Sequence, residues 1–106
     1  MKAKSHVFLS AATGTGASDS IQPNNRNKVF HLTGFVSAST GAASVTVEGS
    51  NDGVNWFVLD TLTLTLGTAI TSDSGVNSDA WLNVRGNVGS ISGTNAQVTL
   101  TMSTQE

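Results

Sequence analysis

Two stretches of this chain alternate with a period of two. Leu62, Leu64 and Leu66 are interleaved with Thr61, Thr63 and Thr65, and Val98, Leu100 and Met102 are interleaved with Thr99, Thr101 and Ser103. A helix would scatter such leucines around its whole circumference. A strand puts all of them on one face and all the hydroxyls on the other. No window of helical length carries apolar residues at helical spacing, and Gly or Ser interrupts nearly every candidate. The chain is therefore expected to be all-β, and its threonines suit the solvent-facing side of a pleated sheet.

Short strands are expected over residues 5–10, 28–35, 43–49, 54–60, 61–66, 80–88 and 96–104. Residues 11–27 are polar, rich in Gly, Ser and Asn, and contain the single proline, Pro23; this composition predicts a long loop or extended arm. Ser50-Asn51-Asp52-Gly53 is a strong turn signal with a positive φ expected at Gly53. Gly67 and residues 72–78 read as punctuation, and residues 89–95 as a further turn region. The segment 54–60 is apolar on both faces, with Val54, Trp56 and Val58 on one and Phe57 and Leu59 on the other. Such a strand needs cover on both sides, from its own domain or from a partner. About seven or eight short strands with turns between them predict an antiparallel β-sandwich or jelly-roll-like barrel. At 106 residues the chain fits one domain spanning 1–106.

Charged residues make up only 11% of the chain, and the net charge is −2. Five scattered cations, Lys2, Lys4, Arg26, Lys28 and Arg85, do not make the basic stripe that nucleic-acid binding requires. A surface so poor in charge has few repulsive devices against association, which favours life in an assembly. With no cysteine there is no disulfide framework and no thiolate metal site. No apolar run approaches the length of a membrane span. Lys2 and Lys4 ahead of Val7-Phe8-Leu9 resemble the start of a secretory signal, but Ser10 cuts the apolar run short, so the N-terminus is expected to remain on the mature protein.

Catalysis needs convergent titratable groups. His6 and His31 are the only histidines, and each reads as an ordinary strand residue. No G-x-S-x-G elbow occurs, and the acids Asp19, Glu48, Asp52, Asp60, Asp73, Asp79 and Glu106 form no marked pair on one strand face. The oxygen-rich Asn51-Asp52-Gly53-Val54-Asn55 lacks the spacing and closing glutamate of an EF-hand loop. Thr13-Gly14-Thr15-Gly16 lacks the Lys-Ser/Thr of a phosphate loop. No catalytic, cofactor or metal residue is assigned, and a non-enzymatic module is expected. Trp56, Phe57, Trp81 and Arg85 are the candidate interface residues, being the large aromatic groups and the cation set opposite core-facing positions.

The run from Val45 to Trp56, a strand ending in a Ser-Asn-Asp-Gly turn that leads to Trp, resembles a pattern in small virion proteins of tailed bacteriophages. The segments Ala80-Trp81-Leu82-Asn83-Val84-Arg85, Val88 to Thr94 and Ala96 to Met102 are similar to the closing strands of the same proteins. This resemblance covers about half the chain. It implies a β-sandwich that binds the outer capsid as a decoration or cement protein, often as a trimer. The partner would be the major capsid protein, and the location the virion surface after synthesis in the host cytoplasm. It brings no cofactor. The Ser-x-Asp-Gly-x-x-Trp element also resembles discoidin-type sandwiches, which implies carbohydrate binding as the alternative, with a glycan as partner.

Overall fold

The computed structural model describes residues 3–22, 28–78 and 81–105. Eight strands follow one another: β1 (Ala3–Ala12), β2 (Gly16–Ala17), β3 (Lys28–Phe35), β4 (Ala38–Ser50), β5 (Phe57–Leu66), β6 (Thr71–Asn77), β7 (Asn83–Thr94) and β8 (Gln97–Gln105). They form two four-stranded sheets in the orders β1-β8-β3-β6 and β2-β7-β4-β5. All pairings are antiparallel. The pairs β1·β8, β2·β7, β3·β6 and β4·β5 are those of one long hairpin, running out through β4 and back from β5. Rolled up, such a hairpin gives the two-sheet jelly-roll arrangement. The expected β-sandwich is what the chain forms.

Alternation places the core. Phe30 and Leu32 of β3, Val45 and Val47 of β4, Leu62, Leu64 and Leu66 of β5, Val84 and Val88 of β7, and Val98, Leu100 and Met102 of β8 are all buried between the sheets. Their neighbours in sequence point out, so Thr61, Thr63 and Thr65 of β5 and Thr99 and Thr101 of β8 lie on the two outer faces.

Several element boundaries differ from the sequence expectation, each for a physical reason. The segments 54–60 and 61–66 are one strand, β5, which begins only at Phe57. A register shift at Val47/Glu48 pairs Val47 with Asp60 and Glu48 with Val58, leaving Leu59 as a bulged residue. The bulge resets the alternation, so Leu59 and Leu62 both reach the core although an odd spacing separates them. β6 occupies residues read as punctuation. It is an edge strand paired only with β3, and its side chains alternate between half-buried and exposed without an apolar face. β7 runs on through residues 89–94, and the turn contracts to Asn95, at φ 51°. Within the expected loop, Ala11 and Ala12 extend β1, while β2 and an isolated bridge from Ile21 to Val84 pair with β7. Residues 23–27 of that stretch lie outside the described residues.

Candidate interaction site

The β4–β5 connection is built around two side chains. The Ser50 hydroxyl accepts from the Asp52 and Gly53 amides at 3.3 and 2.9 Å and donates to Asp52 Oδ1 at 2.9 Å. Asp52 Oδ1 also accepts from the amides of Val54 and Asn55, both at 2.8 Å, and Oδ2 accepts from Asn55 Nδ2 at 2.8 Å. The Asn55 and Val54 amides, then the Asn55 and Ser50 side chains, hold the Asp52 carboxyl well below the usual carboxylate range. Gly53 takes φ 76°, as its place in the turn predicts. Asn51 Oδ1 accepts from Leu82 N at 3.1 Å, and Asn83 Nδ2 reaches Ser50 O at 3.5 Å, so the turn is tied to the start of β7.

This end of the sandwich gathers all four sequence-predicted interface residues, in two groups. On the outer face of the β2-β7-β4-β5 sheet, Glu48 and Arg85 lie opposite each other in register. Arg85 Nε donates to Glu48 Oε1 at 2.8 Å, and Asn87 Nδ2 to Glu48 Oε2 at 3.4 Å. The guanidinium carbon sits 4.1 Å from the centroid of the Trp56 ring, a cation–π stack that the carboxylate locks in place. Around the rim, Phe57 and Trp81 face each other with ring centroids 5.9 Å apart. Trp81 lies flat against Gly49: a Cβ there would come within 2.6 Å of the indole Cδ2. Trp81 Nε1 is buried and meets no acceptor among the described residues.

Exposed apolar side chains surround both groups: Val54 at 77%, Phe57 at 59%, Val58 at 58% and Leu82 at 52% of full exposure. The sequence reading named none of Val54, Val58, Leu82 and Glu48 as site residues. The two-faced apolar character of 54–60 was the signal for the first two. Only the β4–β7 register brings in Glu48, and only the bond to Asn51 brings in Leu82. The histidines lie elsewhere, on the other sheet: His6 packs edge-on against Phe8 at 4.9 Å, and His31 is exposed on β3. Among the described residues no three His, Asp or Glu side chains come together in a group able to hold a metal ion.

The chain shares its fold with two prophage proteins. The SPBc2 prophage-derived protein YomS superposes with a TM-score of 0.59 at 14% identity, covering 96% of this chain and 91% of that one. The PBSX exported protein XepA gives 0.54 at 13% identity, covering 94% of this chain but 36% of XepA, so the domain matches about a third of that molecule. A CBM4 structure gives 0.50 at 10% identity, over 92% of this chain and 66% of that one. No protein-family model matches the sequence, and no curated protein matches it.

Proposed function

We propose that this chain is a non-enzymatic structural protein of a bacteriophage particle, and that it attaches to a protein surface through the end formed by Trp56, Phe57, Val58, Trp81, Leu82 and Arg85. The observation that carries this reading is the composition of that end. Exposed apolar side chains ring a Trp and an Arg already fixed by Glu48. Tryptophan and arginine anchors within an apolar patch are what protein interfaces use for most of their binding energy. Preordering matters as well, because immobilising a long Arg at the moment of binding costs about 0.5–1.5 kcal/mol, and here the carboxylate has already restrained it. The prophage origin of YomS and XepA supports the particle as the setting.

In its finer form, the surface is the outer shell of major capsid subunits, and the protein binds it as a homotrimer. Binding only the assembled shell would stabilise the shell by mass action. The CBM4 neighbour brings a glycan reading alongside. At Trp56 the geometry favours protein, since one ring face is already taken by the guanidinium and is closed to a stacked sugar.

The test is co-sedimentation with purified capsids, with light scattering for the free protein. Trp56→Ala and Phe57→Ala should each weaken capsid binding by about tenfold or more, the range of a hot-spot residue. Arg85, the one cation among the described residues of this surface, is paired with Glu48 within the chain, so binding should change little between low and high salt. A monomer that ignores capsids, or capsid binding untouched by both substitutions, overturns the reading.

A further inference from the structure

At the opposite end of the sandwich lies a cleft of about 670 Å³, within the ordinary range for small-ligand sites. It opens where β3 runs out and the β7–β8 hairpin turns. Phe35 and Gln97, directly opposite each other in the β3–β8 register, form one wall; Ile91, Ser37, Asn95 and Thr13 are among the groups forming the rest. β7 spans the molecule from the Trp56 end to this cleft. On β7, Arg85 of one site and Ile91 of the other are six residues apart, about 20 Å at roughly 3.3 Å per residue.

Every group lining the cleft is uncharged. A phosphate, carboxylate or ammonium would lose its hydration there with no opposite charge in return, which penalises ionic ligands. The polar lining is of another kind. Hydroxyls and carboxamides both donate and accept, so they answer a ligand rich in hydroxyl groups. Asn95 Nδ2 donates to Ser37 Oγ at 3.2 Å, and Ser37 Oγ donates to Thr94 O at 3.2 Å, which fixes the orientation of two of these groups. The Gln97 side-chain carboxamide and the Thr13 hydroxyl have no hydrogen-bond partner among the described residues and remain available. Phe35 and Ile91 supply the apolar surface on which the C–H face of a sugar ring can rest.

We infer that this cleft binds a neutral oligosaccharide, held on Phe35 and Ile91 and hydrogen-bonded by Gln97, Thr13 and Asn95. The site is distinct from the Trp56 end and does not depend on what docks there. A particle-bound copy would carry a glycan-binding end roughly 20 Å along β7 from Arg85 of its attachment end.

The experiment is an amide NMR titration of the whole chain with neutral tetrasaccharides of glucose, mannose, galactose and N-acetylglucosamine, and with an oligogalacturonate as the anionic control. The expected result is millimolar or tighter binding of at least one neutral sugar. Shifts should be confined to residues around Phe35, Ser37, Ile91 and Gln97. Gln97→Ala should weaken binding about tenfold, the loss of roughly one good hydrogen bond. Thr13→Trp, at an exposed position outside the strands, should plug the cleft without disturbing the fold, and Trp56→Ala should leave binding unchanged. The inference is overturned if no neutral sugar shifts any amide, if the shifts centre on Trp56 and Trp81, if the anionic control binds equally well, or if Thr13→Trp binds as the natural chain does. Capsid binding is read separately, so failure at the cleft leaves the Trp56 end standing, and the reverse.

Discussion

Asp73 is the side chain whose removal should do most at the open seam of the sandwich. β5 and β6 are the outer strands of the two sheets on one side, and each pairs with a single neighbour. Their outward amides are the feature that invites another strand to add. Here carboxylates occupy them. Asp73 Oδ2 accepts from Thr63 N of β5 at 3.1 Å while its Oδ1 accepts from Ser74 N of β6 at 2.9 Å, and Asp60 Oδ1 accepts from Thr61 N at 2.8 Å. Asp73 thus joins one sheet to the other through its bond to Thr63 N, while its second charge-assisted bond, to Ser74 N, stays within β6. Buried bonds of that kind are worth about 1.5–3 kcal/mol each. Thr63 and Ser74 are exposed, so water replaces much of the loss, and Asp73→Ala should cost about 1–2 kcal/mol in total. For a domain of this size that lowers Tm by on the order of 5–10 °C. Asp73→Asn, with one acceptor oxygen left, should fall between. Calorimetry reads the stability, and light scattering against concentration reads self-association, which should rise in Asp73→Ala as the freed amides become available. A variant that melts with the natural chain and stays equally dispersed would refute the idea that this carboxylate seals the seam.

Other expectations follow from the Trp56 end. Gly53→Val forces a β-branched side chain to φ 76° and should destabilise by about 1 kcal/mol or more, measured by urea unfolding. Gly49→Ala places a methyl group where the Trp81 indole lies, so it should displace the ring and change tryptophan fluorescence while far-UV circular dichroism stays β. The depressed Asp52 carboxyl contributes turn stability that is present above the ordinary carboxylate value of 3.8 and is lost only as pH falls through its lower folded value. The Val54 and Asn55 amide resonances should therefore hold steady through pH 4 and move only in stronger acid; movement centred near 4 would count against the hydrogen-bond network. His6→Ala and His31→Ala should leave binding at either end unchanged, by the same capsid and sugar measurements.

The sequence was most informative where one face of a strand is buried. Leu62 to Leu66 and Val98 to Met102 announce their strands because burial demands alternation, and alternation is visible without a structure. It was least informative at edges. β6 buries no continuous apolar face, so selection on its side chains leaves Ser, Asp, Gly and Asn, the residues of turns. β2 is two residues long, and just beyond it Ser18 N donates to Gly86 O at 2.7 Å, a backbone bond that carries no residue signature. The candidate residues Trp56, Phe57, Trp81 and Arg85 were legible as large groups set opposite core-facing positions. Their division into a Trp56–Arg85 stack and a Phe57–Trp81 rim was not, because it depends on the bulge at Leu59 and on the β4–β7 register.

These features bear on how copies of the molecule could meet other chains. An antiparallel sandwich has two open seams, and strand addition at a seam is the cheapest route to association. One seam is filled by Asp60 and Asp73. On the other, β7 is covered by residues 16–21, and β1 carries two register shifts, between Val7 and Leu9 and between Leu9 and Ala12, which bend its edge away from a flat partner. With both seams blunted, the exposed apolar cluster of Val54, Phe57, Val58 and Leu82 is a surface that gains from being covered. A contact made end-on through side chains leaves the sheets intact in the free protein. It also allows several copies to stand side by side on one surface without fusing into a continuous sheet.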